Sequence, residues 1–86
     1  MFYIVVFRSK THTYAFNSLL KSYRIYSEVI ETPRQANVSC GLSVKIPFAA
    51  LNLAKSILFR RTFSSFVGIF EVTPIGNGLN KVVQVA

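Results

Sequence analysis

One cysteine, one histidine and a surplus of cations make up the reactive inventory of this 86-residue chain. Cys40 is its only thiol, which excludes an intrachain disulfide and a cysteine-rich zinc site. As a thiolate, Cys40 is a nucleophile. Ser39 precedes it, and Gly41 follows with no side chain to hinder a reacting partner. The groups that could favour an anion beside it are Arg8, Lys10, His12 and Arg34. Each also has a plainer reading. A lone cysteine in a small apolar chain is often a buried hydrophobe. A histidine near a helix start often caps it or faces water, and Arg60-Arg61 can be a solvated helix end. One histidine and three carboxylates leave few metal ligands, so no metal site and no cofactor are expected. Phe66-Val67-Gly68-Ile69-Phe70 is faintly like an RNA-stacking strand but lacks the basic-glycine-aromatic signature, and core aromatics are the better account.

Composition bounds what such residues can belong to. Hydrophobic residues make up 51% and charged residues 15%, which excludes a disordered tail. A chain this short buries roughly 60–65% of its extended surface, enough for one two-layer core. It carries more apolar surface than one such core can hide, so self-association or a partner is expected. Ten Lys and Arg against three acids give +7, which favours anionic partners, nucleic acid, a membrane surface or an acidic protein, without choosing among them. No basic region precedes the apolar Phe2 to Phe7, so no signal peptide is expected. Every apolar run is broken by charge before the ~18 residues a membrane span needs. The expected compartment is a reducing cytoplasm.

The elements follow from periodicity. Phe2 to Phe7 is an unbroken apolar run suited to a central strand with both faces covered. Ser9 or Thr11 can cap a helix over 11–23 whose inner face is Ala15, Phe16, Leu19, Leu20 and Tyr23. Residues 25–32 read as a second strand, with two glutamates that suggest an edge. Thr32 to Asn37 reads as a turn. Leu42, Val44 and Ile46 alternate with polar residues as a third strand over 42–46. Pro47 opens a helix over 48–60 with Ala50, Leu51, Ala54, Ile57 and Leu58 inward. Residues 66–73 are a fourth strand, Pro74 to Gly78 is turn chemistry, and Lys81 to Val85 could add a short strand.

This order predicts an α+β, ferredoxin-like βαββαβ two-layer sandwich with a four-stranded antiparallel sheet. Residues 1–73 form the domain and 74–86 a C-terminal turn and short strand or tail. Both helices cover one face, and the C-terminal hairpin or a second subunit covers the other. The loop after the first strand, the hairpin between the second and third, and the loop before the fourth then share one end of the sheet. That end gathers Cys40 with Arg8, Lys10, His12, Arg34, Arg60, Arg61, Ser64 and Ser65.

Thr32-Pro33-Arg34, then Ser39-Cys40-Gly41-Leu42 and an alternating strand ending in Pro47, resembles a family of small bacterial selenium/sulfur carrier-like proteins. The opening strand followed by Ser9, Thr11 and Ala15 is similar, as is the second helix with Leu51, Ala54, Lys55, Ile57 and Leu58. The likeness spans roughly residues 2 to 72. Members tend to carry acids in the second helix, whereas this one is basic at its end. The resemblance implies a ferredoxin-like carrier holding a persulfide or selenosulfide on Cys40. It takes the sulfur or selenium from a protein donor such as a cysteine desulfurase and passes it to an acceptor protein. The other reading is a non-catalytic basic module that docks nucleic acid or an acidic protein, with Cys40 structural.

Overall fold

The computed structural model describes every residue except Asn37, Ser39 and Cys40. The chain folds into a five-stranded antiparallel sheet with two helices. The elements run β1 (Phe2–Phe7), α1 (Lys10–Ser22), β2 (Glu28–Glu31), β3 (Leu42–Pro47), α2 (Leu51–Arg60), β4 (Phe66–Gly76) and β5 (Leu79–Gln84). Single 3₁₀ turns occupy Arg34–Ala36 and Phe48–Ala50. Across the sheet the strands lie β2-β3-β1-β4-β5, with each neighbouring pair antiparallel. The four-strand count is one short: Leu79–Gln84 pairs along β4 as a full fifth strand.

β1 is apolar throughout because it is central and covered twice. Tyr3, Val5 and Phe7 point to the helices and pack with Phe16, Leu20, Ala54, Ile57 and Leu58. Ile4 and Val6 point the other way, into a second cluster with Ala36, Phe70 and Val72. Val38 and Val82 pack against that second cluster. The far face is therefore covered from within the chain by the β2–β3 connection; β5, expected as a cover, instead extends the sheet beside β4 and meets that connection. A bulge in β4 beside Val6 and Phe7 sets the alternation, so that Ile69 faces the helices while Phe70 and Val72 face away.

Local chemistry fixes the element ends. Ser9 is extended and its hydroxyl accepts from the His12 N–H at 3.2 Å, the N-cap of α1. The buried stripe of α1 is Thr13, Phe16 and Leu20; Ala15 and Tyr23, expected inward, are exposed. The reason lies at the helix end. Arg24 takes a left-handed φ of 60°, the Ile25 N–H returns to the Leu20 carbonyl, and Ile25 fills the space Tyr23 would have taken. The β4–β5 turn is Asn77-Gly78, both at positive φ (53° and 74°), as a two-residue hairpin requires. Pro74, expected in the turn, lies inside β4 opposite Asn80, next to a register shift that tolerates its missing N–H.

Candidate functional site

The end of the sheet where β1 and β2 finish and β3 and β4 begin brings the reactive loops together. Phe7 pairs with Phe66 and Glu31 with Leu42. The Arg8 N–H donates to the Ser65 carbonyl at 2.8 Å, which ties the loop after β1 to the loop before β4. Across the same join His12 Nδ1 lies 2.6 Å from Ser65 Oγ. The His12 ring is half-buried and stands edge-on to Phe63, with centroids 5.5 Å apart. Phe63 in turn packs at 5.2 Å on Phe7 and 5.8 Å on Phe16. An aromatic wedge thus fixes the imidazole, its one bonded nitrogen facing Ser65. Sequence reasoning placed Ser65 at this end but passed over Phe63. Its signal was a single aromatic within the polar run Arg61 to Ser65.

The expected cations divide between the two faces. Arg8 and Lys10 are exposed at the start of α1, beside its unpaired amide groups. Arg34 is exposed on the 3₁₀ turn of the β2–β3 connection, and that turn packs through Ala36 on the far face, away from α1. The expected grouping of Arg34 with Lys10 and His12 is therefore divided by the sheet. A connection that buries Ala36 and Val38 cannot project straight from the strand ends as a simple hairpin. Cys40 and Ser39 lie outside the described residues. Gly41 is exposed, with the Thr32 N–H donating to its carbonyl at 3.0 Å. A Cβ at Gly41 would meet nothing within 4 Å, so crowding does not explain the glycine there.

Charge is distributed unevenly. Arg8, Lys10, Lys21, Arg24, Lys55, Arg60 and Arg61 lie on the helices or the residues bounding them, where no acid occurs. The remaining cations, Arg34, Lys45 and Lys81, match in number the glutamates Glu28, Glu31 and Glu71, all three of them on strands. The helical layer therefore carries the whole +7. Among the described residues the ion pair is Lys45–Glu28 at 3.7 Å, on the sheet.

An open groove of about 650 Å³ runs between α1 and the segment after α2, with Ala15, Leu19 and Phe63 as apolar lining and Ser18, Ser22 and Arg61 as polar lining. Among the described residues no cluster of His, Cys, Asp and Glu could hold a metal, and no helix is long and apolar enough to cross a membrane.

Residues 2–64 match the model of a family described as "Putative Se/S carrier protein-like". No curated protein and no solved structure matches the chain. The matched span runs from β1 through α2 and the loop carrying Phe63, and it ends before β4.

Proposed function

Because the chain belongs to the Se/S carrier-like family, we propose that it carries sulfur or selenium as a persulfide or selenosulfide on Cys40. The observation that carries this reading is the family match over residues 2–64, a span whose sole thiol is Cys40. The architecture proposed for it is a ferredoxin-like core, β1-α1-β2-β3-α2-β4, forming one domain with residues 74–86 completing an added hairpin. The strand order β2-β3-β1-β4 and the common helical face support this.

The exchange is a thiolate displacement. The Cys40 thiolate attacks the terminal sulfur of a donor persulfide. A new S–S bond forms at Cys40, the donor S–S bond breaks, and the donor cysteine leaves as thiolate. No electrons are gained or lost overall, so the step needs no cofactor. An acceptor thiol or other nucleophile takes the terminal sulfur in the same way, and selenium follows the same path as a selenosulfide. Arg8 and Lys10, with the N-terminus of α1, favour anionic sulfur at this end of the sheet. Arg34 is carried on the same connection as Cys40, and Ser39 and Gly41 flank the thiol. His12, held by Ser65, is the candidate proton carrier. The proposed partners are a protein donor such as a cysteine desulfurase and an acceptor protein, in a reducing cytoplasm. Exposed Leu79 and Val83 on the outer strand β5, with Val85 just beyond it, are the surface proposed for self-association.

The test is mass spectrometry after incubation with a cysteine desulfurase and cysteine. The expected product is heavier by one sulfur, reverts with a thiol reductant, and is absent in Cys40→Ser. Equal loading of Cys40→Ser, or none of the parent protein, refutes the carrier reading.

A further inference from the structure

We infer that the helical layer is a docking surface for an acidic protein segment, one of whose aliphatic side chains seats in the groove between α1 and the segment after α2. The choice of a protein over another polyanion rests on the carrier reading, since a carrier exchanges its cargo with other proteins.

Three observations support it. The first is the charge distribution: the seven cations of the helical layer face no carboxylate there, while the acids are confined to strands. A field of one sign over one face steers an oppositely charged partner to that face and orients it. The second is the groove itself. Ala15, Leu19 and Phe63 form an apolar patch within it, and Arg61 stands at its wall. A phosphate backbone gains nothing from an apolar socket, whereas a leucine flanked by glutamates fits both the socket and the rim. Small side chains on α1, Ala15, Ser18 and Ser22, leave room for the approach.

The third is Arg24. It closes α1 with a left-handed φ of 60°, the position glycine fills at least cost. Its backbone contribution, the N–H bond to the Lys21 carbonyl, is one glycine would make equally well. Its side chain adds an exposed cation two residues past Ser22, which lines the groove. The groove also reaches Phe63, which wedges His12 at the reactive end of the sheet, so a segment seated there lies against the elements that end or begin at that end.

Fluorescence anisotropy tests this with a short labelled glutamate-rich peptide bearing one central leucine. The comparison probes are the same peptide with serine for leucine, a single-stranded RNA, and vesicles containing phosphatidylserine. The leucine peptide should bind in a salt-dependent manner, about tenfold more tightly than the serine version, as expected for burial of one aliphatic side chain. Arg61→Glu should weaken it about tenfold. Arg24→Gly should weaken it about threefold while raising the unfolding midpoint, a combination that loss of structure cannot produce. Backbone amide shifts on binding should centre on Ser18, Leu19, Ser22 and Phe63. Equal binding of the two peptides, tighter binding of RNA or vesicles than of the leucine peptide, or shifts centred on β5 would each overturn the proposal. The assay involves no thiol chemistry. Failure of sulfur loading with peptide binding intact would therefore sink the carrier reading alone, and the converse would sink only the docking surface.

Discussion

His12 Nδ1 and Ser65 Oγ stand 2.6 Å apart across the join between the start of α1 and the loop that enters β4. They are 53 residues apart in sequence, so the bond closes a large loop and fixes the reactive end of the sheet. The backbone link from Arg8 to Ser65 and the aromatic wedge of Phe63 act with it. Ser65→Ala removes one half-buried partner and leaves the imidazole nitrogen without it. The expected loss is about 1 kcal/mol in urea-induced unfolding. His12→Gln/Ser65→Ala should cost less than the sum of the single changes, because the two groups share one interaction. Strict additivity would show that the pair is not coupled in solution.

Tyr3 and Glu71 face each other across β1 and β4. Burial is the main cause that raises the Tyr3 phenol above its ordinary 10.0, and the charge and hydrogen bonding of Glu71 raise it further. The protonated phenol is the form the fold prefers. Below pH 10 both states keep the proton and stability is unaffected. Above it the unfolded chain ionises first, so the folded state loses stability as pH rises toward the folded midpoint. Tyr3→Phe should remove most of that alkaline slope in denaturant titrations at successive pH values. Tyr26, raised chiefly by its hydrogen bond to Glu28, is 62% exposed, and Tyr26→Phe should change the slope far less. The reverse ranking would refute the assignment.

The fold was legible where one physical pattern dominated. Six consecutive apolar residues in β1 called for cover on both faces, and both faces are covered. The period of two in Leu42, Val44 and Ile46 gave β3, and Ser9 gave the helix start. Long-range packing was less legible. Ala36 and Val38 are two small apolar residues in a polar stretch, too faint a signal to show that the β2–β3 connection folds under the sheet. That same turn parts Arg34 from α1. Pro74 read as a turn because a proline usually breaks a ladder; it lies in β4 past the end of the β1 pairing and next to a register shift, where a missing N–H is tolerated. For the site, strand order alone put His12 and Ser65 at one end, but a lone aromatic in the polar run Arg61 to Ser65 was too faint a signal to show that Phe63 would hold the ring.

The packing of Ala36 yields a separate test. It is 7% exposed and clustered with Ile4, Val6, Phe70 and Val72. Ala36→Asp would set a carboxylate among them with no partner. The expected cost is about 2–3 kcal/mol, taken by detaching the connection rather than by unfolding the sheet. Limited proteolysis should then cut within residues 34–41 while the β1, β3 and β4 amides stay protected from hydrogen exchange. Uniform loss of protection would mean that the connection and the sheet unfold as one unit.

The last prediction concerns the Cys40 thiol. A carrier attacks as thiolate, and a pKa below the roughly 8.5 of a free cysteine raises the thiolate share at neutral pH. The groups proposed to lower it are Arg8 and Lys10 at the α1 N-terminus, and Arg34 on the connection that holds Cys40 in the sequence. The measurement is the rate of alkylation by iodoacetamide against pH in the folded protein. The rate should rise with a midpoint below that reference, and Arg8→Ser/Lys10→Ser should move the midpoint upward by several tenths of a unit. Arg34→Ser should be measured separately, because the far-face packing of its turn sets it apart from the other two. A larger shift from Arg34→Ser than from the double variant would assign the thiol to the connection's own cation. A midpoint above the reference, or no reaction before unfolding, would make Cys40 an inert buried residue and leave the carrier reading with the family match alone.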